Sequence, residues 1–219
     1  MLSMRGTVIL LLGVLLTAVA APAFPEPPRS REAALGALRS PDAATRAEAV
    51  TWIANHGTMA DVALLQPRLR DESPFVRSFA ESGLWLLWSR SGDAEIDTLM
   101  AHGTDEMQAG RHEQAVADFT AVIAKRPDFA EGWNRRATVL FLAGEFRRSL
   151  DDCNEVLKRN PGHFGALAGL GQIYMALNEP ELALSWFRKA LEANPNLLGV
   201  EISIKQLEEA LKQKRRRTT

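Results

Sequence analysis

Apolar residues recur at intervals of three and four positions through most of the chain, which is the spacing of amphipathic helices. In the second half of the chain, the short polar segments AGR, AGE and NEP interrupt this spacing, and a second helical stretch follows each of them. Each second stretch ends before a proline (Pro127, Pro161 or Pro195), because proline lacks an amide donor and clashes with the preceding turn. The pattern predicts an all-α chain built from paired helices, without a sheet.

The paired helices repeat with one constant period along the sequence. That period is the number of residues from Pro127 to Pro161. Four sets of positions share this period: Pro127, Pro161 and Pro195; Gly103, Ala137 and Gly171; Ala115, Ser149 and Ala183; Phe119, Cys153 and Phe187. The small residues of the second set allow the two helices of a pair to approach closely. A single pair cannot bury its apolar face, so the repeat predicts successive pairs that stack into one continuous core.

The repeated positions resemble those of the tetratricopeptide repeat, a helical hairpin with fixed small and aromatic positions. The three units are 96–129, 130–163 and 164–197. The third unit matches the family pattern at Leu167, Leu170, Gly171, Tyr174, Ala183, Phe187, Ala190 and Pro195. The other units depart from it at His102, Glu106, Ser149 and Cys153. The resemblance implies a solenoid of three helical hairpins.

The last segment, 198–219, has the pattern of a helix that caps such a solenoid. Its apolar residues lie on one helical face: Val200, Ile204, Leu207 and Leu211. Charged residues occupy the other faces, and the segment ends in a basic tail. We therefore expect residues 198–219 to close the repeat core and to present a polar surface to solvent.

A weaker repetition occupies residues 32–95, after a proline-rich segment (21–31) that is predicted to be an extended linker. Three pairs of residues share a single offset: Leu38 and Leu69, Arg46 and Arg77, Ala49 and Ala80. This arrangement resembles a HEAT-type helical repeat. Trp85 and Trp88 are spaced to lie on one helical face beside leucines, and we expect them to pack the N-terminal helices against the first tetratricopeptide hairpin.

The first twenty residues have the plan of a secretory signal peptide. One cation, Arg5, precedes the apolar run 8–16, and Ala18 and Ala20 form an A-x-A cleavage site. Because the run is short for a membrane span, we expect cleavage before Ala21 and export to the bacterial periplasm. The alternative is an uncleaved anchor that holds the protein in the inner membrane, facing the periplasm.

Composition and charge narrow the classes of partner. The 219 residues are 46% hydrophobic and 24% charged, as in ordinary globular proteins. Residues 21–211 carry 20 cations and 27 anions, and this acidic body argues against a nucleic-acid partner. Five cations lie in the last eight residues. We expect these cations to lie at a solvated C-terminal helix end, where the helix dipole favours positive charge. The alternative is that they contact anionic lipid.

Signatures of catalysis and of metal binding are missing. The sequence has no H-E-x-x-H, no C-x-x-C, no G-x-S-x-G and no phosphate loop. Its four histidines share no spacing, and Cys153 stands at a position that is usually buried, where a thiol is inert. Asp151, Asp152 and Glu155 are expected on a solvated helical face. We therefore predict no catalytic residue, no cofactor and no metal site.

The resemblance also implies a concave groove lined by the first helix of each unit. Carried over to this sequence, the candidate partner-binding residues are Met100, Thr104, Met107, Asn134, Thr138, Phe141, Gln172 and Met175. Methionine adapts its shape, so this apolar stripe suits a helical or extended peptide. Phe141 is expected to face solvent in the free protein. The alternative is that Phe141 and the methionines pack between repeats or against the N-terminal helices.

Some relatives grip a C-terminal carboxylate with a clamp of lysines and arginines. Here Gly165 and Gly169 occupy the corresponding positions of the third unit, which argues against that class of ligand. Taken together, the features predict an exported, non-catalytic scaffold or adaptor that binds a protein or peptide. The alternative function is that of a membrane-tethered assembly factor of the cell envelope, and the missing motifs argue against an enzyme.

Overall fold

The structure is a computed structural model, and it describes the backbone of residues 25–218 and the side chains of residues 25–216. Its α-helices are α1 (Arg31–Ala37), α2 (Ala43–His56), α3 (Val62–Leu65), α4 (Pro74–Ser89), α5 (Ala94–Gln108), α6 (His112–Lys125), α7 (Ala130–Leu142), α8 (Phe146–Arg159), α9 (Phe164–Ala176), α10 (Pro180–Ala193) and α11 (Leu198–Thr218). Two short 3₁₀ helices, Met59–Asp61 and Gln66–Arg70, flank α3. The predicted signal peptide lies outside the described residues.

The all-helical solenoid predicted from the sequence is confirmed over the described part of the chain, which contains no strand. Helices α5 to α10 form three antiparallel hairpins, and α11 packs on α10. The four apolar residues predicted on the inner face of α11 are all buried: Val200, Ile204, Leu207 and Leu211. Among residues 25–218, no helix is long and apolar enough to cross a membrane.

The three hairpin turns are built in the same way, at equivalent positions of the three repeats. Gly110, Gly144 and Asn178 each adopt a positive φ, of 73°, 78° and 60°. The amide after each of them bonds back across the helix end, as Glu145 does to the carbonyl of Leu140 at 2.8 Å. This is the Schellman ending, which favours glycine because the left-handed conformation crowds a Cβ atom. The sequence segments AGR, AGE and NEP therefore mark three turns of the same type.

Close contact between the two helices of a hairpin explains the repeated small residues. A Cβ atom on Gly103 would lie 2.9 Å from the ring of Phe119, and one on Gly171 would overlap the ring of Phe187. The remaining repeated core residues are also buried: Ala115, Ala137 and Ala183. Each second helix ends two residues before its proline, at Lys125, Arg159 and Ala193.

One departure from the family pattern has a local explanation in the second hairpin. Ser149 is buried where the third hairpin has Ala183, and its hydroxyl donates a hydrogen bond to the carbonyl of Ala137 at 2.7 Å. A buried hydroxyl without such a partner would be costly. The carbonyl of the facing helix therefore makes serine acceptable at this position.

A second departure belongs to an interhelical pair that recurs in each hairpin. His102 contacts Asp118 at 2.7 Å, and at the equivalent positions of the second hairpin Arg136 forms two hydrogen bonds to Asp152, at 2.7 and 2.8 Å. In the third hairpin the equivalent residues are Leu170 and Trp186, which share one apolar cluster. The prediction that Asp152 lies on a solvated face is wrong, because the guanidinium of Arg136 allows its carboxylate to be buried.

The N-terminal helices also contain a repeated contact. The guanidinium of Arg46 donates to the carbonyls of Ser40 and Pro41, and that of Arg77 donates to the equivalent carbonyls, those of Asp71 and Glu72. Arg46 additionally pairs with Asp71, through two hydrogen bonds of 2.7 and 2.9 Å. The shared offset in the sequence thus reflects two N-terminal hairpins, α1–α2 and α3–α4, in each of which an arginine donates hydrogen bonds to the carbonyls of the preceding turn. Their assignment to the HEAT type stays a prediction.

The N-terminal hairpins dock on the third repeat, so the prediction that the tryptophans pack on the first repeat is wrong. Trp88 stacks on His163 with ring centroids 4.3 Å apart, and Trp85 meets Phe164 edge to face at 5.3 Å. Arg77 donates to the side chain of Asn196 at 2.9 Å. Curvature of the solenoid brings the start of α9 under α4, although two whole hairpins separate these helices in sequence.

Candidate partner-binding groove

Three of the predicted groove residues line one apolar cavity of ≈ 610 Å³ between the third repeat and the capping helix. Its lining residues are Phe141, Gln172, Met175, Ala176, Phe187, Ser203, Gln206, Leu207 and Ala210. Met175 is 46% exposed and Gln172 is also exposed, so both are accessible from solvent. Gln172, Ser203 and Gln206 supply hydrogen-bonding groups in a mostly apolar wall, as is typical of ligand pockets.

A smaller cavity of ≈ 130 Å³ continues the groove toward the second repeat. Phe141 and Gln172 line both cavities, and Asn134 and Thr138 line the smaller one. Phe141 itself is half-buried: its ring lies 5.5 Å from that of Phe146 and packs on the cluster around Cys153. Phe141 is therefore both a wall of the groove and a part of the core.

The groove residues of the first repeat lie apart from these two cavities. Met100 and Met107 are partly buried against a cluster that contains Phe119 and Val139. Thr104 donates its hydroxyl to the carbonyl of Met100 at 2.7 Å. The structure thus brings together Asn134, Thr138, Phe141, Gln172 and Met175, whereas the two methionines of α5 pack between repeats, as the alternative interpretation of the sequence held.

The N-terminal helices fill the end of the groove at the start of α9. The indole of Trp85 lies so close to Gly165 that a Cβ atom there would overlap it. Gly165 is one of the two positions at which related proteins carry the basic clamp. Glycine at this position makes room for the tryptophan. The groove is open nearer α11, and a further cavity between α4 and α7 is lined by Trp85, Asn134 and Thr138.

A buried polar network supports this junction. The carboxylate of Glu131 accepts hydrogen bonds from Arg135 at 2.8 Å, from Asn134 at 3.1 Å and from Nε2 of His163 at 3.3 Å. His163 carries its proton on Nε2, because its Nδ1 accepts from the amide of Ala166. Burial alone would raise the pKa of Glu131, but these partners outweigh it and lower that pKa below the usual value.

The single cysteine of the chain is not reactive near neutral pH. Burial raises the pKa of the Cys153 thiol to about 12, so the thiolate is not formed there. Among the residues that the structure describes, no group of three histidines, cysteines or carboxylates could hold a metal ion.

Sequence reasoning missed the contribution of α11 to the groove, and it missed the Glu131–His163 pair. The apolar face of α11 was recognised, but Ser203, Gln206 and Ala210 lie beside that face and carry no signal of their own. Glu131 falls at a groove position of the family pattern, but it is buried and pairs with His163, on which α4 docks through Trp85 and Trp88. That docking is a tertiary contact without a local sequence signature.

Comparison with known proteins agrees with this geometry. A family model described as tetratricopeptide repeat matches residues 100–156 and 143–197. A TPR repeat-containing protein of Rhizobium etli is 33% identical over 142 residues, which are 65% of this chain and 70% of that protein. The small glutamine-rich tetratricopeptide repeat-containing protein of Dictyostelium discoideum is 27% identical over 110 residues, and this chain covers 33% of its length.

Solved structures show the same fold at lower sequence identity. The Sgt2 TPR domain from Aspergillus fumigatus superposes with a TM-score of 0.54 at 17% identity, over 57% of this chain and 83% of that one. The first TPR of Spaghetti (RPAP3), bound to an HSP90 peptide, gives a TM-score of 0.52 at 22% identity, over 55% of this chain and 96% of that one. With the family model and the Rhizobium relative, these matches lead to one conclusion: the chain belongs to the tetratricopeptide repeat family.

Proposed function

We propose that this protein is a non-catalytic adaptor that binds a peptide or protein segment in the open part of its groove. The observation that carries the proposal is the apolar cavity shared by Phe141, Met175 and the capping helix. It has a volume typical of ligand pockets and a wall with few polar groups. The first TPR of Spaghetti (RPAP3), which has the same fold, is bound to an HSP90 peptide in its structure.

The ligand that fits this groove differs from an acidic C-terminal peptide. Gly165 and Gly169 replace the basic clamp, and Trp85 covers the first of these glycines. The two arginines that follow the groove residue Asn134 in the sequence are engaged within the protein, since Arg135 pairs with Glu131 and Arg136 with Asp152. An apolar side chain from a helical or extended segment would instead fill the cavity and bury Met175.

We propose further that the protein works in the bacterial periplasm after cleavage of its first twenty residues. The sequence supports this through its single early cation, its short apolar run and its A-x-A site. N-terminal sequencing of the protein from its source cells is expected to begin at Ala21. Recovery of a chain that starts at Met1 in the membrane fraction would replace this proposal with that of an inner-membrane anchor.

The binding proposal can be tested with a matched pair of surface substitutions. Met175 in the groove is 46% exposed, and Leu182 on α10 is 43% exposed and belongs to neither groove cavity. A photo-reactive amino acid at position 175, introduced in cells, is expected to crosslink a partner that can be identified by mass spectrometry. The same amino acid at position 182 serves as the control for adventitious contacts.

Affinity for the crosslinked partner is then measured with the two variants Met175→Glu and Leu182→Glu. A charge in the groove should weaken binding by at least roughly thirtyfold, or about 2 kcal/mol, whereas Leu182→Glu should leave affinity within about twofold. Both side chains are largely exposed, so the melting temperatures should stay close to that of the wild type. Equal affinities for the two variants would exclude this groove as the binding site.

A further inference from the structure

The capping helix α11 continues past the core as a positively charged segment. Leu211 is the last of its buried residues among those whose side chains the structure describes, and the helix extends from there to Thr218. Residues 212–217 contain five cations and no acid, and the side chains of residues 212–216 are exposed. We call residues 212–218 the basic extension. It projects roughly 10 Å beyond the last core contact, at the usual helical rise per residue.

The basic extension carries more positive charge than a helix end requires. The C-terminus of a helix is equivalent to about half a negative charge, which a single cation would offset. Here Lys212 stands four residues before Arg216, and like charges at this spacing destabilise a helix. The nearest acids of α11 in the sequence are Glu208 and Glu209, and Glu208 already pairs with Arg188. Helix stability therefore does not account for the extension.

The cations surround the helix instead of lying along one face. Successive helical residues are turned by about 100°, so that positions 212, 214, 215, 216 and 217 are spread around the whole circumference. Residues 212–218 include no apolar or aromatic side chain. A partner with a single complementary face would leave some of these cations unused, and bases would find no ring on which to stack. A helix is only about as wide as the Debye length, so a diffuse negative surface attracts all of the cations together.

We propose that the basic extension adsorbs to the surface of a membrane that contains anionic lipid. The rest of the mature chain is acidic, with 20 cations and 27 anions in residues 21–211, and such a surface repels it. Because the extension projects by roughly one Debye length at physiological ionic strength, its cations reach the headgroups while the acidic body stays largely screened from them. Without apolar residues in the extension, the contact is peripheral and reversible.

The choice of lipid over nucleic acid rests on the proposed export. The periplasm is bounded by membranes with anionic phospholipids, and it does not contain the chromosome. Helix α11 also contributes Ser203 and Gln206 to the groove cavity. Adsorption through the extension would therefore hold the groove close to a membrane, where the bound segment would belong to a protein at that surface.

Sedimentation with lipid vesicles tests the proposal on the protein that begins at Ala21, which lacks the apolar run 8–16. One set of vesicles contains equal amounts of phosphatidylglycerol and phosphatidylcholine, and the other contains phosphatidylcholine alone. At an ionic strength of about 0.05 M we expect binding to the anionic vesicles only. Raising the ionic strength to about 0.3 M should weaken this binding at least about tenfold, because salt screens exposed charges.

Two triple variants of equal net charge identify the cations responsible. The first combines Lys212→Gln, Arg215→Gln and Arg216→Gln. The second removes three exposed cations elsewhere, through Arg39→Gln, Arg147→Gln and Lys189→Gln. The first variant should lose at least about thirtyfold in affinity for the anionic vesicles, and the second less than about threefold. All six side chains are exposed, so both variants should melt close to the wild type.

Three outcomes would overturn the proposal. The first is equal binding to the two sets of vesicles, or binding to neither. The second is an equal affinity of the two triple variants for the anionic vesicles. The third is a double-stranded oligonucleotide that binds through the extension more tightly than the vesicles do at the same ionic strength, which would assign the extension to a nucleic acid. None of these results bears on the groove, which Met175→Glu tests separately.

Discussion

Trp88 of the N-terminal region stacks on His163, the residue immediately before α9, with their planes inclined by 24°. Both side chains are almost completely buried, and Trp85 and Phe164 complete the aromatic contact around them. The N-terminal hairpins are therefore a packed part of the solenoid.

Loss of the aromatic contact should destabilise the whole chain. Trp88→Ala removes a buried ring, and we expect the free energy of unfolding in urea to fall by about 3–5 kcal/mol. Leu86→Ala on the same helix is the control, because Leu86 is 40% exposed and its loss should cost under about 1 kcal/mol. Similar losses for the two variants would mean that α4 does not dock through Trp88.

Two glycines of α9 should respond oppositely to the same substitution. A Cβ atom on Gly171 would overlap the ring of Phe187, whereas one on Gly169 would have an ordinary contact of 3.6 Å with the sulfur of Cys153. Alanine is favoured over glycine within a helix by about 1 kcal/mol. Gly169→Ala should therefore raise the unfolding free energy slightly, and Gly171→Ala should lower it by about 1–3 kcal/mol. Thermal unfolding of the pair measures the difference, and equal melting temperatures would contradict the assigned helix contact.

The hairpin turns predict a backbone effect without a steric clash. A Cβ atom on Gly144 would meet nothing within 4 Å, but the residue has a φ of 78°. Gly144→Ala should therefore cost about 1–2 kcal/mol through the left-handed conformation alone. Gly144→Asn should cost less, since Asn178 adopts this conformation in the third hairpin. The prediction fails if alanine and asparagine at position 144 give the same unfolding midpoint.

The ion pair of Arg46 and Asp71 should contribute to the pH dependence of stability. Hydrogen bonding from Arg46 lowers the pKa of Asp71 below its usual value of about 3.9, although burial opposes this. A lowered pKa in the folded state gives stability that is complete above the unfolded pKa and is lost as the pH falls through the folded pKa. The contribution should therefore disappear progressively below about pH 4.

Asp71→Asn tests this expectation. Near pH 7 the variant should be less stable by about 3 kcal/mol, because the guanidinium of Arg46 stays buried with a weaker partner. Its stability should also fall less steeply than that of the wild type between about pH 5 and 2.5. Asp151→Asn changes an exposed carboxylate and serves as the control. Parallel stability curves for Asp71→Asn and the wild type would contradict the prediction.

Phe141 is expected to affect both folding and binding. From the sequence it was predicted to face solvent, so that a charge there would leave the melting temperature unchanged. Because its ring is half-buried against Phe146, we now expect Phe141→Asp to lower the unfolding free energy by about 1–3 kcal/mol in addition to weakening a groove ligand. Thermal unfolding followed by circular dichroism checks the first effect. An unchanged melting temperature would mean that the side chain of Phe141 faces solvent, as the sequence predicted.

The parts of this fold that were predictable from sequence are those with local or periodic causes. The period of the repeat placed Gly171 where the two helices of the third hairpin approach, and helical spacing identified the buried face of α11. The docking of Trp88 on His163 was not predictable, because it depends on how far the solenoid curves. Burial of Asp152 was missed for a related reason, since its partner Arg136 lies on another helix and a charged residue alone gives no sign of it.

The hydrogen bond from Arg77 to Asn196 has a consequence for how the chain folds and comes apart. Ordinary repeat arrays have neighbour contacts only, so they fray from their ends and tolerate loss of a terminal unit. Here residues 119 positions apart are joined, and Asn196 also donates to the carbonyl of Leu69 at 2.8 Å. Such long-range contacts slow folding, because a large loop must close before they form. They also couple both ends of the array, so that the first and last hairpins are expected to unfold in one cooperative step.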